Sequence, residues 1–576
     1  IDGLQLVGQA VIRKYDQDEN VTNKKIINYD WDNNEVREKR TPNSAERRYQ
    51  KTLSKNFTLY ADYKKNFNDR HDLSVMVGTS HEYDRFTAKR INFDQQENMS
   101  LQLGSAQDQN AWSEGNQWTI NSFFSRVNYT FANKYVIEGT IRADGSSRFD
   151  PDHRWGWFPG VNAAWRVGEE GFMKRLGWFE DLKVRASYGE MGNQSGIGLY
   201  DYIQLISLSN DYYPFGAGMK GQMATSGNII STSRTWETIQ TTNVGFDFST
   251  LNNRLYGSFD YFWKENKNML IPKTYPSMLG ADAPSTNSGH LSIHGWEISL
   301  GWRDQIKDFS YSVRFNISDA KNKVVDRVGS NLIKLGNNET PTGYPLNSYF
   351  GYEFDGIIQN EQELEAYKSR FSEGGIPGDL SVGDAMYKDL DGDGKLSVLG
   401  DGKEGSGDVK YLGDKNPRYN FGFNLSMAWK GFDLSAFIQG VGRRTMFLEG
   451  ESRCPMPEAW YQSAEYWYGK TWTPERTDAQ YPAITLKDKR NYNYYVSTNT
   501  KFNVAYARLK NLQFGYTIPQ TLTSKAGLQK VRVYFSGEDL FEVHNTPNGW
   551  DPEENSGSIT SYPFTRNYSF GINVVF

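Results

Sequence analysis

The chain has 576 residues, with 64 Lys and Arg against 69 Asp and Glu, a formal net charge of −5. So small an imbalance over this length gives no electrostatic footprint for nucleic acid, and a single cysteine, Cys454, excludes a disulfide framework or a cysteine metal site within the chain. No stretch approaches the roughly 18 consecutive apolar residues of a membrane helix, which leaves open only a membrane protein built from strands that alternate lipid-facing and lumen-facing residues.

In chain order, period-two alternation predicts a first strand over 4–15. Residues 56–64 read NFTLYADYK, with Phe57, Leu59, Ala61 and Tyr63 on one face, and 73–79 answer with Leu73, Val75, Val77 and Thr79 across a short turn. The polar stretch to about 116 reads as a long loop. The same unit returns as 117–130 with 135–143 around Asn133, and as 236–249 with 254–263 around Asn252-Asn253. It follows again as 293–302 with 308–318, 418–429 with 432–441 around Lys430-Gly431, and 503–517 with 530–541, and 566–576 closes the chain. That makes about 16 strands by the period-two criterion. The large loops fall at about 80–116, 190–235, 264–292, 319–417 and 442–502.

Short and long connections alternate, as they do in an outer-membrane barrel with short periplasmic turns and long external loops. With the C-terminus on the periplasmic side, every long loop falls outside. Aromatic strand ends such as Trp155-Gly156-Trp157-Phe158 and Tyr261-Phe262-Trp263, and the terminal Phe576, suit interfacial girdles. The competing architecture is a soluble β-sandwich whose aromatics form its core. The sequence starts at Ile1 without a signal peptide, so it reads as a mature, processed or partial product.

Residues 123–166, FFSRVNYTFANKYVIEGTIRADGSSRFDPDHRWGWFPGVNAAWR, resemble the SusC/RagA family of TonB-linked outer-membrane transporters. The likeness continues in LKVRASYGEMGNQ (182–194), TWETIQTTNVGFDF (235–248), HGWEISLGW (294–302), YKDLDGDGKLS (387–397), GFDLSAFIQG (431–440), YARLKNLQFGYTIP (506–519), VRVYFSGEDLF (531–541) and the terminal SFGINVVF. The resemblance implies an all-β fold, a transmembrane antiparallel barrel of about 22 strands around a plug. It also implies a SusD-like surface lipoprotein, energy from TonB-ExbB-ExbD, glycans or peptides as cargo, and the outer membrane of a Gram-negative, Bacteroidota-like bacterium. No plug is recognisable in this chain and roughly six strands of such a barrel are not accounted for. Two open sheet edges in lipid would be prohibitive, so the rest is expected elsewhere.

Asp389-Leu390-Asp391-Gly392-Asp393-Gly394 begins like a calcium loop, since carboxylates at alternate positions can converge on a hard cation and glycine permits the sharp turn. Lys395 would add a backbone carbonyl and Ser397 a further ligand. Gly400 stands where the bidentate glutamate belongs, and Asp401 is the substitute. Ca2+ is the one cofactor these residues suggest, and an acidic loop tip without metal is the alternative. The loop 454–472 carries Trp460, Tyr461, Tyr466, Trp467, Tyr468 and Trp472. Trp460, Tyr461, Tyr466 and Trp467 are the candidate substrate contacts, because aromatic faces stack on sugars and tyrosine hydroxyls bond polar groups; packing among the loops or against a lipoprotein lid is the alternative. In RADGSSRF (141–148), Asp144, Gly145 and Ser146 read as a turn, with Arg142 and Arg148 free to reach carboxylates in neighbouring loops. Gly216 to Gly221 fits a dinucleotide fingerprint only formally, and His290 and His294 flank a strand start, so neither is a site. With no nucleophile elbow either, the sequence reads as a non-enzymatic component of nutrient import across the outer membrane. A transporter-like barrel serving as a structural or scaffold subunit of a larger outer-membrane complex is the alternative, and a secreted carbohydrate-active sandwich the more distant one.

Overall fold

The computed structural model describes residues 2–24, 26–39, 44–94, 108–214, 220–226, 229–272, 284–327, 335–336, 340–399, 407–457, 463–485, 488–554, 562 and 564–576. Sixteen strands hydrogen-bond in chain order into one antiparallel sheet. They are β1 (Leu4–Asn23), β2 (Ser44–Phe67), β3 (His71–Asp94), β4 (Asp108–Phe131), β5 (Tyr135–Ser146), β6 (Trp155–Trp165), β7 (Asp181–Asn193) and β8 (Glu237–Thr250). There follow β9 (Leu255–Pro272), β10 (Ser285–Ile306), β11 (Phe309–Asp326), β12 (Arg418–Trp429), β13 (Phe432–Arg443), β14 (Tyr506–Thr517), β15 (Lys530–His544) and β16 (Asn567–Val575). Among the described residues no helix is long and apolar enough to cross a membrane, which says nothing of crossing by strands.

The short turns form where the sequence allows a left-handed backbone. Asn68 and Asp69 have φ of 54° and 54°, Asn252 and Asn253 have 58° and 61°, and Gly431 has 91°. Asn and Asp tolerate this region because their short side chains bond the local backbone, and glycine has no Cβ to clash. Each turn fixes the register of its hairpin.

The chain divides into two compact units. The first comprises Ile1–Ala163, Tyr188–Gln240 and Asn268–Asn287. Here register aligns one face of neighbouring strands: Thr58 lies opposite Ser80, Ser80 opposite Ser122 and Ser122 opposite Asp144. The other face carries Leu59, Val77, Phe123 and Ile137, which are 59%, 57%, 58% and 52% exposed. A continuous apolar stripe of this kind is costly against water, at about 25 cal/mol per Å2, and is what a lipid-facing surface requires. A small core of Phe149, Phe158, Ile197 and Trp236 closes the ends of the strands.

In the second unit, Ala164–Ser187, Thr241–Lys267 and Ser288–Phe576, the same division of faces recurs. Val244, Phe246, Leu300, Phe514, Val533 and Ile572 are exposed. The opposite face is held by arginines that tie neighbouring strands together. Arg185 of β7 donates to Asp247 of β8 at 3.2 Å and to Asp260 of β9 at 2.7 Å. Arg532 of β15 reaches Gln513 of β14 at 3.0 Å and Asp433 of β13, and Arg418 of β12 grips Asp319 of β11.

Two expectations about the loops need correction. The stretch about 80–116 is mostly strand, since β3 and β4 pair out to Asp94 and Asp108, and β9 and β10 likewise extend into 264–292. The outer halves of these strands place charged or polar residues among the apolar ones on both faces, which blurs the period-two signal while leaving the backbone ladder intact. The stretches 319–417 and 442–502 are not merely polar excursions. They contain one core of Tyr352, Ile358, Leu364, Tyr367, Phe371, Leu380, Tyr387, Leu396 and Tyr492, and most of a second, in which Met446, Leu448, Cys454, Trp467, Tyr481 and Tyr494 join Val504 and Trp550 from beyond them. A helix, Glu361–Arg370, contributes Leu364 and Tyr367 to the first and is capped by Asn360, whose side chain accepts from the Glu363 amide at 2.9 Å.

Candidate functional site

The polar face of the first unit borders an open cavity of about 660 Å3 lined by Thr58, Ser80, Ser122, Arg142, Asp144 and Gln194 among others. Arg142 donates from Nε to Asp144 at 2.8 Å and from Nη2 to Ser122 Oγ at 2.9 Å. Ser146 donates to Gln194 Oε1 at 2.6 Å. Arg148 donates to the Ile197 carbonyl at 2.8 Å and lies over the Trp118 ring, 5.6 Å from its centroid. The expectation for this motif is therefore corrected in two respects. Asp144 to Ser146 remain in strand β5, because pairing with β4 persists to Ile120 and Ser146. The two arginines meet a carboxylate on their own strand and a backbone carbonyl, not carboxylates of distant loops. The result is a pre-organised polar wall whose donors and acceptors are already oriented, suited to hydrated cargo.

In the acidic loop, Asp389 and Asp391 share a cluster with Asp408, their carboxylate oxygens all within 4.8 Å of one another. Asp389 accepts from the amides of Gly392 at 2.7 Å and Gly394 at 3.0 Å, and both glycines have positive φ, 75° and 74°. Asp393 accepts from the Lys395 amide at 2.8 Å and stands outside the cluster. Asp401 lies outside the described residues. Asp408 is fully buried and accepts from the amides of Leu390 at 2.6 Å and Ser397 at 2.8 Å. Burial pushes its carboxyl above the ordinary aspartate range; the Ser397 and Leu390 amides pull it back, and Asp391 and Asp389 add to the upward push. Three carboxylates brought this close suit a hard cation. The spacing of a twelve-residue loop could not reveal Asp408. The available signal was only a further acidic residue later in the same long loop, which the structure sets just before the strand Val409–Asp414.

The aromatic loop divides. Trp460 and Tyr461 lie outside the described residues. Trp467 is 3% exposed, with the Tyr481 ring edge-on at 4.9 Å and Tyr494 at 5.6 Å between centroids. Tyr466 packs edge-on to Trp550 at 5.7 Å, its hydroxyl 2.7 Å from that of Tyr481, with the Lys470 ammonium 3.5 Å from its ring centroid. Trp467 is thus spent on packing. Trp472 is tethered through Nε1 to Gln359 at 3.0 Å, and Tyr468 is 90% exposed, the freest aromatic of the group among the described residues. His290 sits against Glu265 on the neighbouring strand, and most of Gly216–Gly221 lies outside the described residues.

A family model for TonB dependent receptor-like β-barrels matches residues 9–540. TonB-dependent receptor P3 of Formosa agariphila is 31% identical over 558 residues, covering 91% of this chain and 52% of that protein. TonB-dependent receptor SusC of Bacteroides thetaiotaomicron is 26% identical over 561 residues, covering 90% and 50%. The chain thus spans about half the length of the curated relatives it matches. The solved RagAB peptide transporter superposes with a TM-score of 0.78 at 23% identity over all of this chain and 60% of that one, a likeness of fold.

Proposed function

The chain belongs to the TonB-dependent receptor β-barrel family, of the SusC/RagA type, and from that premise we propose that it forms wall and outer loops of an outer-membrane importer of nutrients. The observation that carries this reading is the register-aligned division of the sheet into an exposed apolar face and a polar face cross-linked by arginines. Lipid covers the first, and hydrated cargo passes along the second. The cargo is an oligosaccharide or peptide, captured with a SusD-like surface lipoprotein, and TonB-ExbB-ExbD supplies the energy. The chain's role is binding and passage, without enzymatic activity. Deleting tonB in the native bacterium should abolish uptake while leaving the protein in the outer membrane. Uptake that persists without TonB would overturn the reading and favour a scaffold role.

Two finer assignments belong to the same proposal. Asp389 and Asp391, with Asp408 in place of Asp401, hold a Ca2+ ion that stiffens the outer loop; Asp393 and Lys395 shape its turn. Calcium should slow proteolysis between 387 and 417, and Asp408→Asn should remove the effect; equal rates with calcium and with chelator would refute it. Trp460 and Tyr461 contact cargo, and Tyr466 and Trp467 hold the same loop through their packing. Trp460→Ala should weaken uptake with barrel assembly unchanged, and undiminished uptake would count against it.

A further inference from the structure

Beyond the apolar stripe of the first unit, the outward face of the sheet changes character. Side chains alternate along each strand, and β1, β2 and β3 pair without a register break. The residues that continue the face of Leu59 and Val77 follow directly from that ladder. On β2 they are Phe57, Lys55, Leu53, Lys51, Tyr49 and Arg47, and on β3 they are His81, Tyr83, Arg85, Thr87, Lys89 and Ile91. Lys55 lies opposite Tyr83, Leu53 opposite Arg85, Lys51 opposite Thr87 and Tyr49 opposite Lys89. Arg85 is therefore diagonal to both Lys51 and Lys55, and Lys89 to Lys51, at spacings of about 7–8 Å. The Lys55 ammonium stands 6.0 Å from the Tyr83 ring centroid, so the two side chains share one side of the sheet.

The acids of these two strands go the other way. Glu46, Glu82 and Asp84 sit on the opposite face, where Arg48 holds Glu46 at 3.0 Å and Ser54 donates to Asp84 at 2.5 Å. The outward carboxylates come from β1. Asp16, opposite Lys51, pairs with Lys14 at 2.6 Å, and Asp18, opposite Tyr49, pairs with Arg47 at 2.9 Å. Six outward cations, Lys14, Arg47, Lys51, Lys55, Arg85 and Lys89, thus meet two carboxylates. Among the described residues Lys51, Lys55, Arg85 and Lys89 form no ion pair, and Arg85 and Lys89 are exposed.

Position decides what these cations face. An apolar band about 25 Å tall, crossed by strands tilted by about 40°, takes about ten residues at roughly 3.3 Å each. Counted from the Asn68-Asp69 turn, that span runs from Phe67 to Phe57 on β2 and from His71 to His81 on β3. Lys55, Lys51, Arg85 and Lys89 come next, at headgroup depth on the side away from the short turn. The adjoining β4 continues this face with Asn121, Thr119 and Gln117, the last accepting from the Tyr83 hydroxyl at 3.1 Å. Amides and hydroxyls suit a sugar, and clustered cations in excess over carboxylates draw phosphate.

We propose that Lys51, Lys55, Arg85 and Lys89 form an outward-facing site for the phosphate group of a glycolipid in the outer leaflet. The proposal rests on Leu59 and Val77 facing lipid, which oxygen access at those two positions tests independently. Full-length protein in detergent is mixed with lipid A, dephosphorylated lipid A, phosphatidylglycerol or inorganic phosphate and treated with an amine-reactive acetate ester. Modification of each lysine is followed by peptide mass spectrometry. Lipid A should slow modification of Lys51, Lys55 and Lys89 several-fold relative to its dephosphorylated form, with Lys430 in its short turn unaffected. Lys51→Gln combined with Arg85→Gln should remove the protection of Lys55 and Lys89, and Lys51→Arg combined with Arg85→Lys should retain it. Equal rates with the two forms of lipid A, or protection that survives the double glutamine variant, would overturn the proposal, as would equal protection by phosphatidylglycerol or by phosphate. Oxygen access at Leu59 and Val77 together with equal lysine rates would remove the site and leave the lipid face standing. If the double glutamine variant fails to assemble, the wild-type comparison of the two forms of lipid A decides.

Discussion

Replacing Trp467 by alanine tests whether the outer loops of the second unit are a folded body. The side chain is 3% exposed and meets Tyr481, Tyr494 and Tyr466 edge-on at 4.9, 5.6 and 5.1 Å. Truncating a buried tryptophan costs about 3–5 kcal/mol, because the lost contacts leave a void the neighbours only partly fill. Among the described residues its Nε1 has no hydrogen-bond partner, so Trp467→Phe forfeits volume but no hydrogen bond and should cost about 1–2 kcal/mol. Cleavage by trypsin at Arg453, Lys470 or Arg476 requires the body to open. Where opening and reclosing are fast, the rate follows the open population, and 3–5 kcal/mol raises it roughly two to three and a half orders of magnitude. Mass spectrometry of the membrane-embedded protein under limited trypsin reads this directly. A Trp467→Ala protein cleaved at the wild-type rate would refute the packing argument and return Trp467 to the candidate ligand contacts.

Other perturbations separate the two faces of the sheet and the charges on them. Leu59→Arg should destabilise the membrane-inserted sheet by about 2–4 kcal/mol near the bilayer midplane, lowering the temperature at which the protein unfolds on unheated gels, whereas Thr58→Arg on the polar face should not; equal effects would contradict the assignment of faces. Arg185→Met leaves Asp260 without its cation, while Asp247 keeps Lys183 at 2.8 Å. Because Arg185 is 31% exposed, the loss should be about 1–3 kcal/mol, below that of a fully buried pair, and unchanged thermal resistance would rule it out. Glu353 is held at about 2 by hydrogen bonds from Lys388 and Lys410. Its contribution is therefore fully present above the ordinary glutamate range near ~4.3 and is lost as pH falls toward about 2, so carboxylate-selective labelling of Glu353 at pH 4 should still report an ionised group.

What was legible in the sequence follows from where physics leaves a periodic mark. Strands that separate lipid from polar surface must alternate, so 56–64 with 73–79 and 117–130 with 135–143 could be paired before any coordinates. Asn252-Asn253 and Lys430-Gly431 announced their turns through the residues that accept a left-handed backbone. The outer half of β3 carried no such mark, because Arg85 and Lys89 put charge on the face of Val77 while Glu82, Asp84 and Arg90 keep the opposite face polar. The loop cores escaped for a related reason. Tyr367, Tyr387 and Tyr492 come from three distant segments and are buried together only after the loops fold, with Tyr367 and Tyr492 hydroxyls 2.7 Å apart. Asp408 joins Asp389 and Asp391 across a gap that no local spacing rule spans.

The account rests on the claim that one face of the sheet meets lipid and the other water. Nitroxide labels placed singly at 58, 59, 77, 80, 122 and 123 in the protein embedded in bilayers test it by collision with oxygen, which concentrates in lipid, and with a charged nickel chelate, which stays in water. The account predicts strict alternation, with oxygen favoured at Leu59, Val77 and Phe123 and the chelate at Thr58, Ser80 and Ser122. Chelate access at Leu59, Val77 and Phe123 equal to that at their neighbours would contradict it.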